Sequence, residues 1–331
     1  MYPRLLNSLD LQAFTEAARN VPYQQLKAGF FPDLDVWVRR DDLIDPLISG
    51  NKAYKLIFNL LDARDKGAKT IITCGGAWSN HIHAIAAAGS RFGFKTIGIV
   101  RGERPAKLSA TLQDAERFGM QLMFVTRSLY RQRGKEDFLR QVGLELDAAY
   151  FVPEGGANLA GVRGIQLLGQ VIEETAPVDF DQVWVACGTG ATFAGLYSSI
   201  SSAPVIGVEV LKAGDSTLEQ VRRWLGSIYL SSCKGGGDKQ VKHQFQLASI
   251  DEFLLGGHHF GGYGKYPGEL RGFQEFFEVS INTPLDPIYT VKLMAALAKN
   301  DDYFGSPYKC RVLIVHSGGL QGRRGYDLSC L

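Results

Sequence analysis

The chain has 331 residues, 45% of them apolar, which is ample for two globular cores without disulfide staples. Lysine and arginine (36) exceed aspartate and glutamate (34) by only two, so no charge excess points to nucleic acid or a membrane surface, and a small-molecule partner is expected. The cysteines, Cys74, Cys187, Cys233, Cys310 and Cys330, are odd in number and lack C-x-x-C spacing; with no apolar signal core in Met1–Asp10 and no run approaching the roughly 18–20 apolar residues of a membrane span, reduced thiols and a cytoplasmic location are expected.

The first segment of chemical interest is Ser49-Gly50-Asn51-Lys52-Ala53-Tyr54-Lys55-Leu56, a lysine in a glycine-led turn that runs into a helical pattern. Taken alone, Lys52 reads as a solvated helix residue. From Thr70 onward, short apolar runs alternate with helical patterns: Thr70–Cys74, Thr96–Val100, Leu122–Val125 and Tyr150–Val152, then Gln182–Ala186, Val205–Val210 and Arg311–His316. This rhythm predicts parallel strands joined by crossover helices, an α/β architecture. Glycines 155, 156, 161 and 164 mark a crossing between two α/β units, Ser216-Thr217-Leu218-Glu219 reads as a capping box, and Ser231–Lys242, with its Gly235-Gly236-Gly237 run, reads as a solvated loop.

Two of the strands end in turns that suit anions. Gly75-Gly76-Ala77-Trp78-Ser79-Asn80-His81 leads into the helical run from Ile82, with Ser79 placed as N-cap. The free N–H groups of that turn could receive a carboxylate, and the Asn80 amide an aromatic hydroxyl; equally, Ser79 could merely cap and Trp78 fill core. Cys187-Gly188-Thr189-Gly190-Ala191-Thr192 has the glycines, hydroxyls and following helix that cradle a phosphate. A dinucleotide site competes for this second turn, since Glu209 ends the next strand where a ribose-binding acid would sit; against it, Phe193 occupies the third glycine position, and Lys52, Ser79 and Asn80 would have no role. His81-x-His83 has poor geometry for one metal, and without paired cysteines or H-E-x-x-H no metal site is expected.

Across nearly its whole length the chain resembles the fold type II pyridoxal-phosphate enzymes, in the branch that contains D-cysteine desulfhydrase and 1-aminocyclopropane-1-carboxylate deaminase. The resemblance rests on Arg40-Asp41-Asp42-Leu43, Ser49-Gly50-Asn51-Lys52, Gly76–His81, Pro153-Glu154-Gly155-Gly156-Ala157-Asn158, Gly188–Thr192, Asp286-Pro287-Ile288-Tyr289-Thr290 and His316-Ser317-Gly318-Gly319, in the family's order. It implies a tryptophan-synthase-beta-like pair of open parallel-sheet domains, with residues 1–54 and 160–331 forming the large cofactor-binding domain and 55–159 a small inserted one, and a homodimer.

Residue by residue, the resemblance implies that Lys52 is the Schiff-base lysine of pyridoxal 5'-phosphate, with Asn51 beside it, that Asn80 bonds the cofactor's 3-hydroxyl, and that Cys187, Gly188, Thr189, Gly190, Ala191 and Thr192 form the phosphate cup. Trp78, Ser79, Asn80 and His81 would bind substrate, Ser79, Tyr263 and Tyr289 would act on it, and Thr290 or Ser317 would meet the pyridine nitrogen. The aminocyclopropane deaminases carry a glutamate after the tyrosine, where this chain has Thr290. A hydroxyl there leaves the ring a weaker electron sink, which suffices to expel thiolate from a β-carbon but suits cyclopropane opening poorly. The implied activity is therefore D-cysteine desulfhydrase, with aminocyclopropane-carboxylate deaminase or another D-amino-acid deaminase as the alternative. Val291 and Ser317 depart from the family's usual glycine and threonine, and 256–270 matches it loosely apart from Gly262-Tyr263-Gly264. A reading of another class, a pyridoxal-phosphate-binding protein without turnover, has Lys52, Ser79 and Tyr289 against it.

Overall fold

Each apolar run named above is a strand in the computed structural model, which describes residues 6–26, 29, 31–145, 147–212, 216–232, 250–299 and 310–326. The strands are β1 Tyr23–Gln25, β2 Leu34–Arg39, β3 Thr70–Gly75, β4 Lys95–Arg101, β5 Gln121–Val125, β6 Ala149–Val152, β7 Gln182–Cys187, β8 Val205–Glu209, β9 Leu254–Leu255 and β10 Cys310–Val315. The helices are α1 Leu11–Arg19, α2 Asn51–Asp65, α3 Asn80–Phe92, α4 Ala110–Arg117, α5 Arg127–Tyr130, α6 Phe138–Gln141, α7 Leu159–Thr175, α8 Ala191–Tyr197, α9 Ser216–Ser232, α10 Gly268–Ile281 and α11 Thr290–Lys299.

Among the described residues the strands form two sheets. One has the order β1-β2-β10-β7-β8-β9, parallel except for the β1–β2 pair, and the other the order β5-β4-β3-β6, parallel throughout. Helices cover both faces, so central strands such as Val183–Cys187 and Val312–Val315 are apolar on both sides rather than alternating. The two parallel sheets of the fold type II architecture are therefore present.

The winding direction reverses once in each sheet. In the larger sheet the reversal lies between β7 and β10, whose carboxyl ends carry the turns that contain Gly188 and Ser317; in the smaller it lies between β3 and β6, whose carboxyl ends lead into Gly76 and Glu154. Crevices for ligands open at the carboxyl ends of strands at such points. Both reversals of this chain border one cavity.

Helices α2 and α7 pack closely because Gly164 has no side chain: a Cβ there would stand 1.8 Å from the carbonyl oxygen of Tyr54. Leu56, Ile57, Leu60, Ile165, Leu168 and Ile172 are buried in the same core, each contributing about 1.5–3 kcal/mol. The expected domain edge after residue 54 thus falls inside α2, and we propose instead that the small unit begins after Asp65; the other edge, at 159, is the first residue of α7. The glycine-rich crossing forms a short 3-10 turn, Glu154–Gly156, followed by α7. The expected capping box falls at the start of α9, but residues 213–215 before it lie outside the described residues, as do 233–242 of the expected loop. No helix among the described residues is long and apolar enough to cross a membrane.

Candidate active site

Lys52 sits in the first turn of α2, and its position is set by Gly50. With φ +62° and a virtual Cβ 2.0 Å from the Ser317 carbonyl oxygen, residue 50 admits only glycine. The backbone N–H of Asn51 then donates to Ser317 O at 3.2 Å, stitching the lysine turn to the turn that follows β10. Lys52 Nζ donates to Asn51 Oδ1 at 2.8 Å, and Asn51 Nδ2 donates to Thr192 Oγ1 at 3.0 Å, so one amide links the lysine to the first turn of α8.

The lysine opens onto a cavity of about 460 Å³, within the range of cofactor sites. Of the expected residues, Asn51, Lys52, Trp78, Ser79, Asn80, His81, Gly188, Thr189, Thr192, Tyr263, Tyr289 and Ser317 line it. Ser79 is the N-cap of α3, its Oγ accepting from Ile82 N at 3.2 Å, and among the described residues its hydroxyl proton has no acceptor. Asn80 is held by Gln321, which donates to its Oδ1 at 2.8 Å.

Four expected residues do not line the cavity. Cys187 is buried at the end of β7, Gly190 takes a left-handed turn at φ +76°, and Ala191 begins α8, so these three can serve only through backbone N–H groups or packing. Thr290 is engaged within its own helix start. Its hydroxyl donates to Asp286 Oδ1 at 3.0 Å and accepts from Asp286 N at 2.7 Å, closing the start of α11 on itself. Of the two hydroxyls expected at the ring nitrogen, only Ser317 is on the wall.

Residues without an assigned role also face the cavity: Lys55, Arg101, Arg133, Glu154, Lys212 and Gln220. Lys55 was legible in principle, since i and i+3 share a helix face. Its Nζ donates to Gly155 O at 3.3 Å. His81 is 1% exposed, with its ring beside the backbone of Val152 and Pro153. Its near neighbour in sequence, His83, points away, with Nε2 3.5 Å from Asp114 Oδ2. Among the described residues no group of histidine, cysteine or carboxylate side chains is arranged to hold a metal.

Burial governs the electrostatics. Desolvation pushes the Lys52 ammonium down to about 8 against the opposing Asp286 carboxylate. Lys55 and His81 are pushed well below their ordinary values, first by burial and then by neighbouring lysine charge, so His81 is neutral, with one ring N–H to donate and one nitrogen to accept. Burial holds the Tyr289 phenol well above 10 and pushes that of Tyr263 up to about 12, so both are proton donors near neutrality.

A profile of the family described as "Pyridoxal-phosphate dependent enzyme" matches residues 15–223. The chain belongs to this family. Pyridoxal phosphate is its cofactor, and the residues present fit it. A neutralisable lysine can bond an aldehyde, and Gly188, Thr189, Thr192, the first N–H groups of α8 and the Lys55 amine supply donors for a phosphate.

The relatives of this pyridoxal-phosphate enzyme include a Pyrococcus abyssi protein, provisionally named a 1-aminocyclopropane-1-carboxylate deaminase, which is 30% identical over 87% of this chain and 86% of its own. The Arabidopsis thaliana mitochondrial protein named as a bifunctional D-cysteine desulfhydrase/1-aminocyclopropane-1-carboxylate deaminase is 28% identical over 96% of this chain and 80% of its own. A crystal structure of an aminocyclopropane-carboxylate deaminase homologue superposes with a TM-score of 0.68 at 25% identity, covering 99% of this chain and 95% of that one. The dinucleotide reading is excluded by the family, and the fold explains why Phe193 was tolerable: Gly207 on β8 gives way to it, a Cβ there standing 2.9 Å from the Phe193 ring.

The enzyme should capture its cofactor with a pH dependence set by Lys52. Only the neutral amine attacks an aldehyde, so the capture rate of apoenzyme is expected to climb about tenfold per unit below pH 8 and to level off near 8, not near 10.5. Stopped-flow absorbance measures this; a rate still climbing at pH 10 would mean that Lys52 is solvated.

Proposed function

We propose that this enzyme catalyses α,β-elimination on a small amino acid, with D-cysteine the substrate and pyruvate, sulfide and ammonia the products. The observation that carries the reading is the makeup of the cavity wall. Glu154 is the one carboxylate lining it among the described residues, and it is paired with Arg133 at 2.6 Å, while Ser317 presents a hydroxyl. A wall without a free carboxylate among the described residues gives the bound ring no anionic side chain in contact to favour protonation of its nitrogen, which suits departure of a thiolate over opening of a cyclopropane. That argument replaces the one from Thr290 alone.

In the reaction, Lys52 would carry the cofactor and, once released by the substrate amine, hold a neutral Nζ able to take the proton from Cα. Bound pyridoxal phosphate supplies the electron sink that makes this proton acidic. The N–H groups at the start of α3 and the Ser79 hydroxyl would receive the substrate carboxylate, Asn80 and Ser317 would orient the ring, and Lys55, Gly188, Thr189 and Thr192 would hold the phosphate. Tyr289 and Tyr263, protonated near neutrality, would steer the departing sulfur and donate a proton to it. Water then hydrolyses the released enamine to the keto acid.

The test is to incubate holoenzyme separately with D-cysteine, L-cysteine and aminocyclopropane carboxylate and assay keto acid and sulfide. Pyruvate with equimolar sulfide from D-cysteine is expected; keto acid from aminocyclopropane carboxylate alone would favour the deaminase alternative, and none from any amino acid would leave only cofactor binding. We extend the proposal to a cytoplasmic homodimer, as the resemblance implies; light scattering on the purified enzyme reads the oligomeric state.

A further inference from the structure

Lys292 lies in α11, three residues beyond Tyr289, and is fully buried. Burial of an ammonium is costly unless each donor finds an acceptor. Here all three donors are used, and all three acceptors are backbone carbonyls: Val210 O at 3.2 Å, His259 O at 2.8 Å and Gly262 O at 2.9 Å. Val210 follows β8, and its N–H bonds Cys187 O beside the Gly188 turn. His259 and Gly262 belong to the segment that presents Tyr263 to the cavity.

That segment is irregular. Gly257, Phe260, Gly261, Gly262 and Gly264 all have positive φ, between +49° and +113°, so its carbonyls turn in several directions and no strand or helix ladder pairs them. Bonds that hold it include Gly262 N to His259 O at 2.9 Å, Lys265 N to Gly262 O at 3.2 Å, Gly261 N to His259 Nδ1 at 3.0 Å and Tyr326 Oη to Gly264 O at 3.0 Å, and Lys299 Nζ lies 5.2 Å from the centre of the Phe260 ring. A lysine is well suited to gather carbonyls from several directions, because its ammonium is a compact charge with three divergent donors.

We propose that Lys292 is a positioning residue, a tethered cation that ties the Tyr263 segment to the helix after Tyr289 and to the strand end beside the phosphate turn, and so sets how the two phenols face each other across the cavity. The inference rests on the reading that Tyr263 faces substrate. The buried Asp286 carboxylate, near the start of the same helix, favours the charged lysine and partly offsets the desolvation that lowers it. A purely structural lysine would matter equally to every part of the fold; a positioning lysine should affect this segment and the catalytic step that uses it.

The experiment uses holoenzyme with Lys292→Met, which keeps the stem and removes the charge, and Lys292→Ala, assayed with and without propylammonium, which restores the missing atoms. Hydrogen exchange, which needs no substrate, is expected to speed up about tenfold or more across residues 256–264 in Lys292→Met while α2 and α3 stay protected. The kcat should fall about tenfold or more with KM changed less than about threefold, and Tyr263→Phe should cost little further in that background, since residues acting as a unit are not additive. Propylammonium should recover part of the Lys292→Ala loss. Unchanged exchange at 256–264, unchanged kinetics, or an undiminished Tyr263→Phe effect in the Lys292→Met background would overturn the proposal, as would failure of both variants to fold, which would make Lys292 a general stability residue. If exchange responds as expected but Tyr263→Phe alone leaves wild-type turnover normal, the substrate-facing reading of Tyr263 has failed and the proposal built on it falls, although the carbonyl clamp itself remains.

Discussion

Lys52→Ala is expected to lower turnover by at least about 10³-fold and to remove the visible absorbance of lysine-bound cofactor, because one side chain supplies both the covalent attachment and the base. The loss should not come from unfolding. Lys52 makes one side-chain hydrogen bond, to the adjacent Asn51, whereas the turn around it is fixed by Gly50 and by the Asn51 N–H to Ser317 O bond, neither of which needs the lysine. The phosphate donors also remain, so cofactor should still bind, though more weakly and without a covalent link. Absorbance, equilibrium dialysis with pyridoxal phosphate and turnover on the same sample separate these effects. Near-normal turnover would dismiss Lys52 as the base and leave Lys55, the other buried lysine in the wall, as the candidate.

Arg39→Ala is expected to cost about 3–5 kcal/mol of stability, the penalty for orphaning a buried carboxylate. Both side chains of the Arg39–Asp41 pair are 0% exposed, with Nε 3.2 Å from Asp41 Oδ1. The guanidinium also donates to Ala18 O at 2.6 Å and Tyr23 Oη at 2.7 Å, while Tyr54 Oη donates to Asp41 Oδ1 at 2.7 Å. One ion pair thereby joins α1, β1, β2 and α2. Asp41 Oδ2 already lacks a partner, so losing Arg39 leaves a buried charge with the Tyr54 hydroxyl on its other oxygen. The damage should reach the active site, because Asp41 O accepts from Gly50 N at 3.0 Å and so anchors the turn before Lys52. Denaturant midpoints of apoenzyme measure the cost. Replacing both members by apolar residues, Arg39→Met with Asp41→Leu, should recover most of it; a loss under about 1 kcal/mol for Arg39→Ala would show that water reaches the pair.

What the sequence by itself determined lies within a few residues of the chain. Ser79 caps α3 because a serine before an apolar helical run satisfies the N–H three residues on, and that rule needs no tertiary partner. The strand runs were legible for a similar reason: short apolar stretches bounded by turns and alternating with helical patterns suit strands of a parallel sheet covered on both faces. Gly50-Asn51-Lys52 and Gly188–Thr192 were recognisable as motifs because their chemistry is carried by neighbouring residues.

Only the tertiary structure decided what depends on distance and burial. The chain reverses winding at β3/β6 and at β7/β10, and this brings Gly76, Glu154, Gly188 and Ser317 to one cavity from positions up to 241 residues apart. No local rule reports such a meeting. Thr290 or Ser317 was expected at the cofactor ring, and the Thr290 hydroxyl donates to Asp286, four residues back, as the helix start closes. Lys55, His81 and Lys292 look in sequence like residues that water would claim. Their altered protonation and their partners exist because folding strips that water away, and the cost of doing so depends on everything packed around them rather than on the residues beside them in the chain.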